Sequence, residues 1–142
     1  MLRRDKVDYD IIGWDWFSDM GFMADAKLFD GTSLVDKLKT FNKPIFLAEV
    51  NQRPEGSGGQ QGMPEQKQAD FISKMAEWAY NSGIVRGFMV LELTDVPNTG
   101  ADFTDYYGLV AAAKNSSGMG IPGEPRQAYD VYKEIISKYP AE

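Results

Sequence analysis

Lys43-Pro44-Ile45-Phe46-Leu47-Ala48-Glu49-Val50 is the stretch that decides the fold. Its apolar residues run on without alternation. A strand buried on both faces reads this way, as in a parallel sheet covered by helices. Pro44 cuts the run off from what precedes it, because the residue ahead of a proline is pushed out of helical geometry. The run ends on a carboxylate, Glu49. Upstream, Leu34, Leu38 and Phe41 fall on one helical face, and Ser33 with Asp36 has capping-box spacing. Further upstream, Tyr9-Asp10-Ile11-Ile12-Gly13-Trp14 is a β-branched and aromatic run, followed by the polar-aromatic Asp15-Trp16-Phe17-Ser18-Asp19.

Downstream, residues 51–63 hold Gly56-Ser57-Gly58-Gly59 and several glutamines, which predicts a long loop. Pro64 suits the first turn of the next helix, whose apolar face is Phe71, Met75, Trp78 and Ala79, with Gly83 as its stop. A third strand is predicted at Gly87-Phe88-Met89-Val90-Leu91-Glu92-Leu93. The Gly-rich stretch from Ser116 to Gly123 then precedes a last helix with Pro125 early in it and Tyr129, Tyr132, Ile136 and Tyr139 as its buried stripe. Strands alternating with helices argue for parallel pairing. About thirty residues with a helix join the first two strands, as a βαβ crossover requires. The expected fold class is α/β, three consecutive parallel βα units, over 1–142 with no internal boundary.

The chain has 142 residues, with neither cysteine nor histidine. Without Cys there is no disulfide, thiolate metal site or Cys nucleophile; without His there is no Ser-His-Asp triad and no H-E-x-x-H zinc helix. Acid–base chemistry therefore falls to carboxylates, Tyr or Lys, and neither metal nor cofactor is expected. The net charge of −6 speaks against a nucleic-acid partner, since the one basic cluster, Arg3-Arg4, lies among Asp5, Asp8 and Asp10. No apolar run approaches the roughly 20 residues that span a bilayer, so no membrane partner is expected. Met1-Leu2-Arg3-Arg4-Asp5 carries no apolar h-region, and no signal peptide is read; the compartment stays open between cytoplasmic and secreted. Gly56-Ser57-Gly58-Gly59 has no Gly-Lys-Ser/Thr after it and is no phosphate loop.

In α/β folds the reacting groups lie beyond the carboxyl ends of the strands. There the first strand offers Trp14, Asp15 and Trp16, the second Glu49, Asn51, Gln52 and Arg53, and the third Glu92, Thr94 and Asp95. Carboxylates beside aromatic platforms suit sugar chemistry: one attacks or protonates a glycosidic bond while ring faces stack on pyranoses. Each residue also has a plain structural reading. Glu49 serves equally as a loop cap or a partner of Arg53, Asp95 as a turn residue, and Glu92 as a buried carboxylate paired with Arg86 or a Lys. Trp14 and Trp16, two apart in a strand, face the same side and fit a core; Trp78 fits one too.

Three of these segments together resemble the carboxyl-terminal part of a clan A glycoside hydrolase, the retaining β-glycosidases built on a (β/α)8 barrel. Asp10-Ile11-Ile12-Gly13-Trp14-Asp15-Trp16-Phe17 resembles the sixth barrel strand. Asn42-Lys43-Pro44-Ile45-Phe46-Leu47-Ala48-Glu49-Val50 resembles the seventh, whose glutamate is the nucleophile. Gly87-Phe88-Met89-Val90-Leu91-Glu92-Leu93-Thr94-Asp95-Val96-Pro97, with Tyr107-Gly108-Leu109-Val110 after it, resembles the eighth. The resemblance implies a partial TIM barrel that hydrolyses O-glycosidic bonds of β-linked glycans by a retaining two-carboxylate mechanism. Glu49 would be the nucleophile, with Trp14, Asp15, Trp16, Asn51, Arg53, Glu92 and Asp95 around an oligo- or polysaccharide substrate. Trp16 or Phe17 stands where the family often has a Tyr, and Leu91 where it has a Trp or Tyr. The family's acid/base glutamate follows an Asn, and no Asn-Glu pair occurs here. A full barrel takes about 250 residues. The chain is thus expected to need the remaining barrel segment or self-association. The alternatives are a non-catalytic carbohydrate-binding or assembly module, and a self-contained α/β domain.

Overall fold

The computed structural model describes residues 7–53, 65–95 and 107–139. Three strands, β1 (Ile12–Phe17), β2 (Ile45–Asn51) and β3 (Val85–Val90), form a parallel sheet in the order β1-β2-β3. Helix α1 (Leu34–Lys39) joins the first two and α2 (Glu65–Asn81) the last two. After β3 the chain departs from expectation. It does not proceed as three consecutive parallel βα units of a partial barrel. Instead β4 (Val110–Lys114) and β5 (Gly120–Pro125) form a separate antiparallel sheet ahead of α3 (Gln127–Lys138).

The physical reason is local. Asn115 Oδ1 accepts the N–H of Ser117 at 3.0 Å and of Met119 at 2.9 Å, and Gly118 turns at φ 79°, so the Gly-rich stretch closes a hairpin. The alanines of β4 and the prolines of β5 have little strand propensity, which concealed it. Pro125 ends β5 rather than opening α3, and the buried stripe of that helix uses Ile135, while Ile136 is largely exposed. Burial pushes the Tyr132 phenol above its ordinary pKa.

Other expectations agree with the structure. The Ser33 hydroxyl accepts the Asp36 N–H at 3.2 Å, and Leu34 and Leu38 are buried. Met75 and Ala79 are buried on α2, with Phe71 and Trp78 packed beside them. Pro64 and all of the predicted loop after Arg53 lie outside the described residues.

The sheet has two unlike faces. Toward the helices, the pairing forms three apolar rows: Ile12–Ile45–Val85, Trp14–Leu47–Phe88 and Trp16–Val50–Val90. These rows pack into the two core clusters that α2 shares with the sheet and with α3. Across the other face, Phe46 sits between Gly13 and Gly87. A Cβ on Gly87 would lie within 2.1 Å of the Phe46 ring, so an edge of the ring packs against β3 at that glycine. Gly87→Ala should therefore destabilise the chain by about 1–3 kcal/mol through forced movement of the ring. The same change in a Phe46→Ala background should cost clearly less, a double-mutant cycle that urea denaturation reads directly.

Candidate functional site at the carboxyl ends of the strands

Strict alternation along β2 would put Glu49 on the core face with Ile45 and Leu47. It is not there. Trp14 and Asp15 pair with Leu47 and Glu49, and Phe88 and Val90 pair with Leu47 and Val50, so β2 carries one extra residue at Ala48–Glu49 relative to both neighbours. This is a bulge. It returns Val50 to the core, where it is fully buried, and turns Glu49 to the open face in register with Asp15. Glu49 is half-buried and Asp15 exposed. Two carboxylates thus share that face beyond the Phe46 ring.

Past the bulge the polar groups become architectural. Asn51 is fully buried; its Nδ2 donates to the Tyr107 carbonyl at 2.6 Å, and its Oδ1 accepts the Gln52 N–H at 2.7 Å and Gln68 Nε2 at 3.1 Å. Gln68 Nε2 also donates to the Tyr107 carbonyl at 3.2 Å. The segment returning from 107 is thereby fixed against the end of β2. On it, Tyr107 meets the Phe17 ring edge-on at a centroid distance of 5.4 Å, and the Arg53 guanidinium lies over Tyr107 at 4.9 Å. Asn51→Ala strips this cluster of its organiser and should cost about 2–3 kcal/mol, visible as a lowered urea midpoint.

The chain leaves β3 through a cis Leu91–Glu92 peptide. Glu92 is half-buried and its carbonyl accepts the Leu109 N–H at 3.0 Å. Asp95 is 5% exposed, and its two oxygens receive a fork from Arg126, each at 2.8 Å. The same carboxylate accepts the N–H of Gly108 at 2.8 Å and of Ala112 at 3.2 Å. Gly108 is packed so closely that a Cβ would come within 2.2 Å of the Asp95 backbone nitrogen, a contact that no rotamer change relieves.

The structure therefore brings Asp15 and Glu49 together on one face and sets Arg53 at the same end of the sheet. It does not bring the tryptophans there. Trp16 is 5% exposed on the helix side, with its indole N–H donating to the Gly21 carbonyl at 2.9 Å, and Trp14 packs against the same core. Tyr107, Gln68, Arg126 and Phe46 were missed as parts of the site. For Phe46 the signal lay in the flanking Gly13 and Gly87, but only the register aligns them. Among the described residues no group of three acidic residues could hold a metal, and no helix is long and apolar enough to cross a membrane.

No family model matches the chain, and no curated protein sequence matches it either. Solved structures do. Over 92% of its length the chain resembles 24% of a GH2 β-galacturonidase from Eisenbergiella tayi, with a TM-score of 0.61 and 13% identity. It resembles 35% of a family 1 β-glucosidase from Thermotoga maritima, at a TM-score of 0.61 and 14% identity over 92% of its own length. A GH128 endo-β-1,3-glucanase from Amycolatopsis mediterranei matches at 0.50 and 19%, over 93% of this chain and 47% of that one. These neighbours are glycoside hydrolases. At such identities the likeness is one of fold, and the chain spans less than half the length of each.

Proposed function

We propose that this chain is the carboxyl-terminal part of a retaining β-glycoside hydrolase and supplies its nucleophile, Glu49. The observation that carries the reading is the bulge in β2, which takes Glu49 off the core face and presents it beside Asp15 at the carboxyl end of a central, buried strand. A rigid strand end is what a nucleophile needs to hold its approach to an anomeric carbon. The fold shared with glycosidases supports the same reading.

In the proposed reaction, a Glu49 carboxylate oxygen bonds to the anomeric carbon as the glycosidic C–O bond breaks. A second carboxyl group, about 5–5.5 Å away, gives its proton to the leaving oxygen. Water then attacks the glycosyl ester, losing a proton to that second group and freeing Glu49 with net retention. The second group comes from outside this chain. Asp15 and Glu92 take sugar hydroxyls, while Trp14, Trp16, Asn51 and Asp95 act by holding the frame. The test is mass spectrometry after incubating the active protein with a 2-deoxy-2-fluoro-β-glycosyl fluoride. The expected adduct sits on the peptide containing Glu49. A fully active protein that labels at another carboxylate overturns the proposal.

A further inference from the structure

The candidate site is rich in acceptors and short of donors. As carboxylates, Asp15 and Glu49 only accept hydrogen bonds, whereas a sugar hydroxyl both gives and takes one. Several side-chain donors at this end of the sheet are spent on fixed partners. Asn51 Nδ2 donates to the Tyr107 carbonyl at 2.6 Å, and Gln68 Nε2 to Asn51 Oδ1 and to that same carbonyl. The Trp16 indole N–H goes to the Gly21 carbonyl, and Arg126 is closed onto Asp95. Tyr107 takes part through its carbonyl alone, and its hydroxyl makes no hydrogen bond among the described residues. We infer that Tyr107 is a substrate-binding residue, whose hydroxyl bonds a hydroxyl group of the sugar held against Glu49. The inference rests on the glycosidase reading and deepens it.

The placement of Tyr107 follows from the register. Along β1, Ile12, Trp14 and Trp16 turn to the helices, which leaves Gly13, Asp15 and Phe17 on the open face. Phe17 therefore stands two residues, about 6.6 Å, beyond Asp15 on the face that Asp15 shares with Glu49. The Tyr107 ring meets the Phe17 ring edge-on at a centroid distance of 5.4 Å, which sets it beside the two carboxylates. It is held there from several sides. Two buried amides bond its carbonyl, Phe17 packs against its ring, and the Arg53 guanidinium lies 4.9 Å from its centroid. None of these contacts uses the hydroxyl. A half-buried phenol normally finds a hydrogen-bond partner, and one already fixed in place loses little entropy when that partner is a ligand. A phenol also gives or takes a bond as the sugar requires, and it adds no charge to a face that already carries two.

The experiment titrates the full chain with methyl β-D-glucopyranoside, methyl β-D-galactopyranoside and the monodeoxy analogues of each, by calorimetry and ligand-observed NMR. Tyr107→Phe keeps the ring and its packing and deletes only the hydroxyl. It should weaken the better-bound parent glycoside about tenfold, the scale of one hydrogen bond, and leave the thermal midpoint unchanged. One deoxy analogue, lacking the hydroxyl that Tyr107 holds, should bind the wild type and the variant alike. A residue of purely structural value would instead weaken the parent and every analogue by the same factor. That uniform loss, undiminished binding by Tyr107→Phe, or no binding of either parent glycoside overturns the inference. Fluoro-sugar labelling separates it from the parent proposal. An adduct on Glu49, with Tyr107→Phe binding as the wild type does, sinks only the Tyr107 assignment. A loss in Tyr107→Phe that one deoxy analogue escapes, with the adduct on another carboxylate, sinks the nucleophile assignment instead.

Discussion

Asp95→Ala should destabilise the folded chain by about 3–5 kcal/mol, the cost of removing one partner of a buried ion pair. Arg126 is 3% exposed and forks onto both Asp95 oxygens at 2.8 Å, so alanine takes away its closest counter-charge and leaves the Glu65 carboxylate, 3.9 Å from its Nε, as a weaker one. The same substitution strips acceptors from the N–H groups of Gly108 and Ala112. Those contacts tie the segment after β3, the start of β4 and the residue ahead of α3 into one knot, and the carbonyl of Gly108 adds a 2.7 Å bond from Arg126. Urea denaturation followed by circular dichroism checks the value. Asp95→Asn keeps the volume but not the charge, and should recover only a small part of the loss. The double substitution Asp95→Leu with Arg126→Met removes both charges, and should lie well above either single variant. A loss under about 1 kcal/mol for Asp95→Ala would mean that the pair is solvated in solution, as exposed pairs are.

This knot also shows why part of the molecule was legible in the sequence and part was not. The central strand announced itself because burial on both sides leaves a run of apolar residues, and Ile45, Leu47 and Val50 are all buried. Helix periodicity located α1 and α2 for the same reason: one face meets the core. The hairpin β4–β5 buries little. Ala111 to Ala113 and the strand Gly120–Pro125 present no apolar alternation, and the turn between them is held by backbone bonds between Asn115 and Gly118 and Met119 together with the Asn115 side chain. Periodicity has nothing to detect in such an element.

The site divides in the same way. Glu49 stood out as a carboxylate closing an apolar run. The bulge that aims it is a property of the pairing of β2 with both β1 and β3, which no single strand encodes. Asp95 and Arg126 lie 31 residues apart, and nothing local joins them. Trp14 and Trp16 mark the limit of residue-type reasoning. Tryptophan suits a sugar platform and a core equally well, and parity along β1 sends both to the helix side with Ile12.

Glu49→Ala in the active protein should lower the turnover of a β-glycoside by at least about a thousandfold while leaving stability nearly unchanged. In the proposed mechanism the rate falls because Glu49 is the group assigned to the covalent bond with the anomeric carbon. Stability holds because Glu49 is half-buried on the open face and plays no part in the apolar rows. Glu49→Asp draws the carboxylate back by one methylene, and a misplacement near 1 Å costs about a hundredfold. The decisive reading is stereochemical. Under the proposed mechanism, alanine leaves a space where a small anion such as azide enters and attacks the anomeric carbon from the side assigned to Glu49. The product is then an α-glycosyl azide, because one displacement inverts and no second one follows. Added azide should restore a substantial fraction of the rate for substrates with good leaving groups, and NMR of the product gives the anomer. A β-glycosyl azide, or an alanine variant of undiminished rate, would remove Glu49 from the covalent role and leave its bulge without a catalytic explanation.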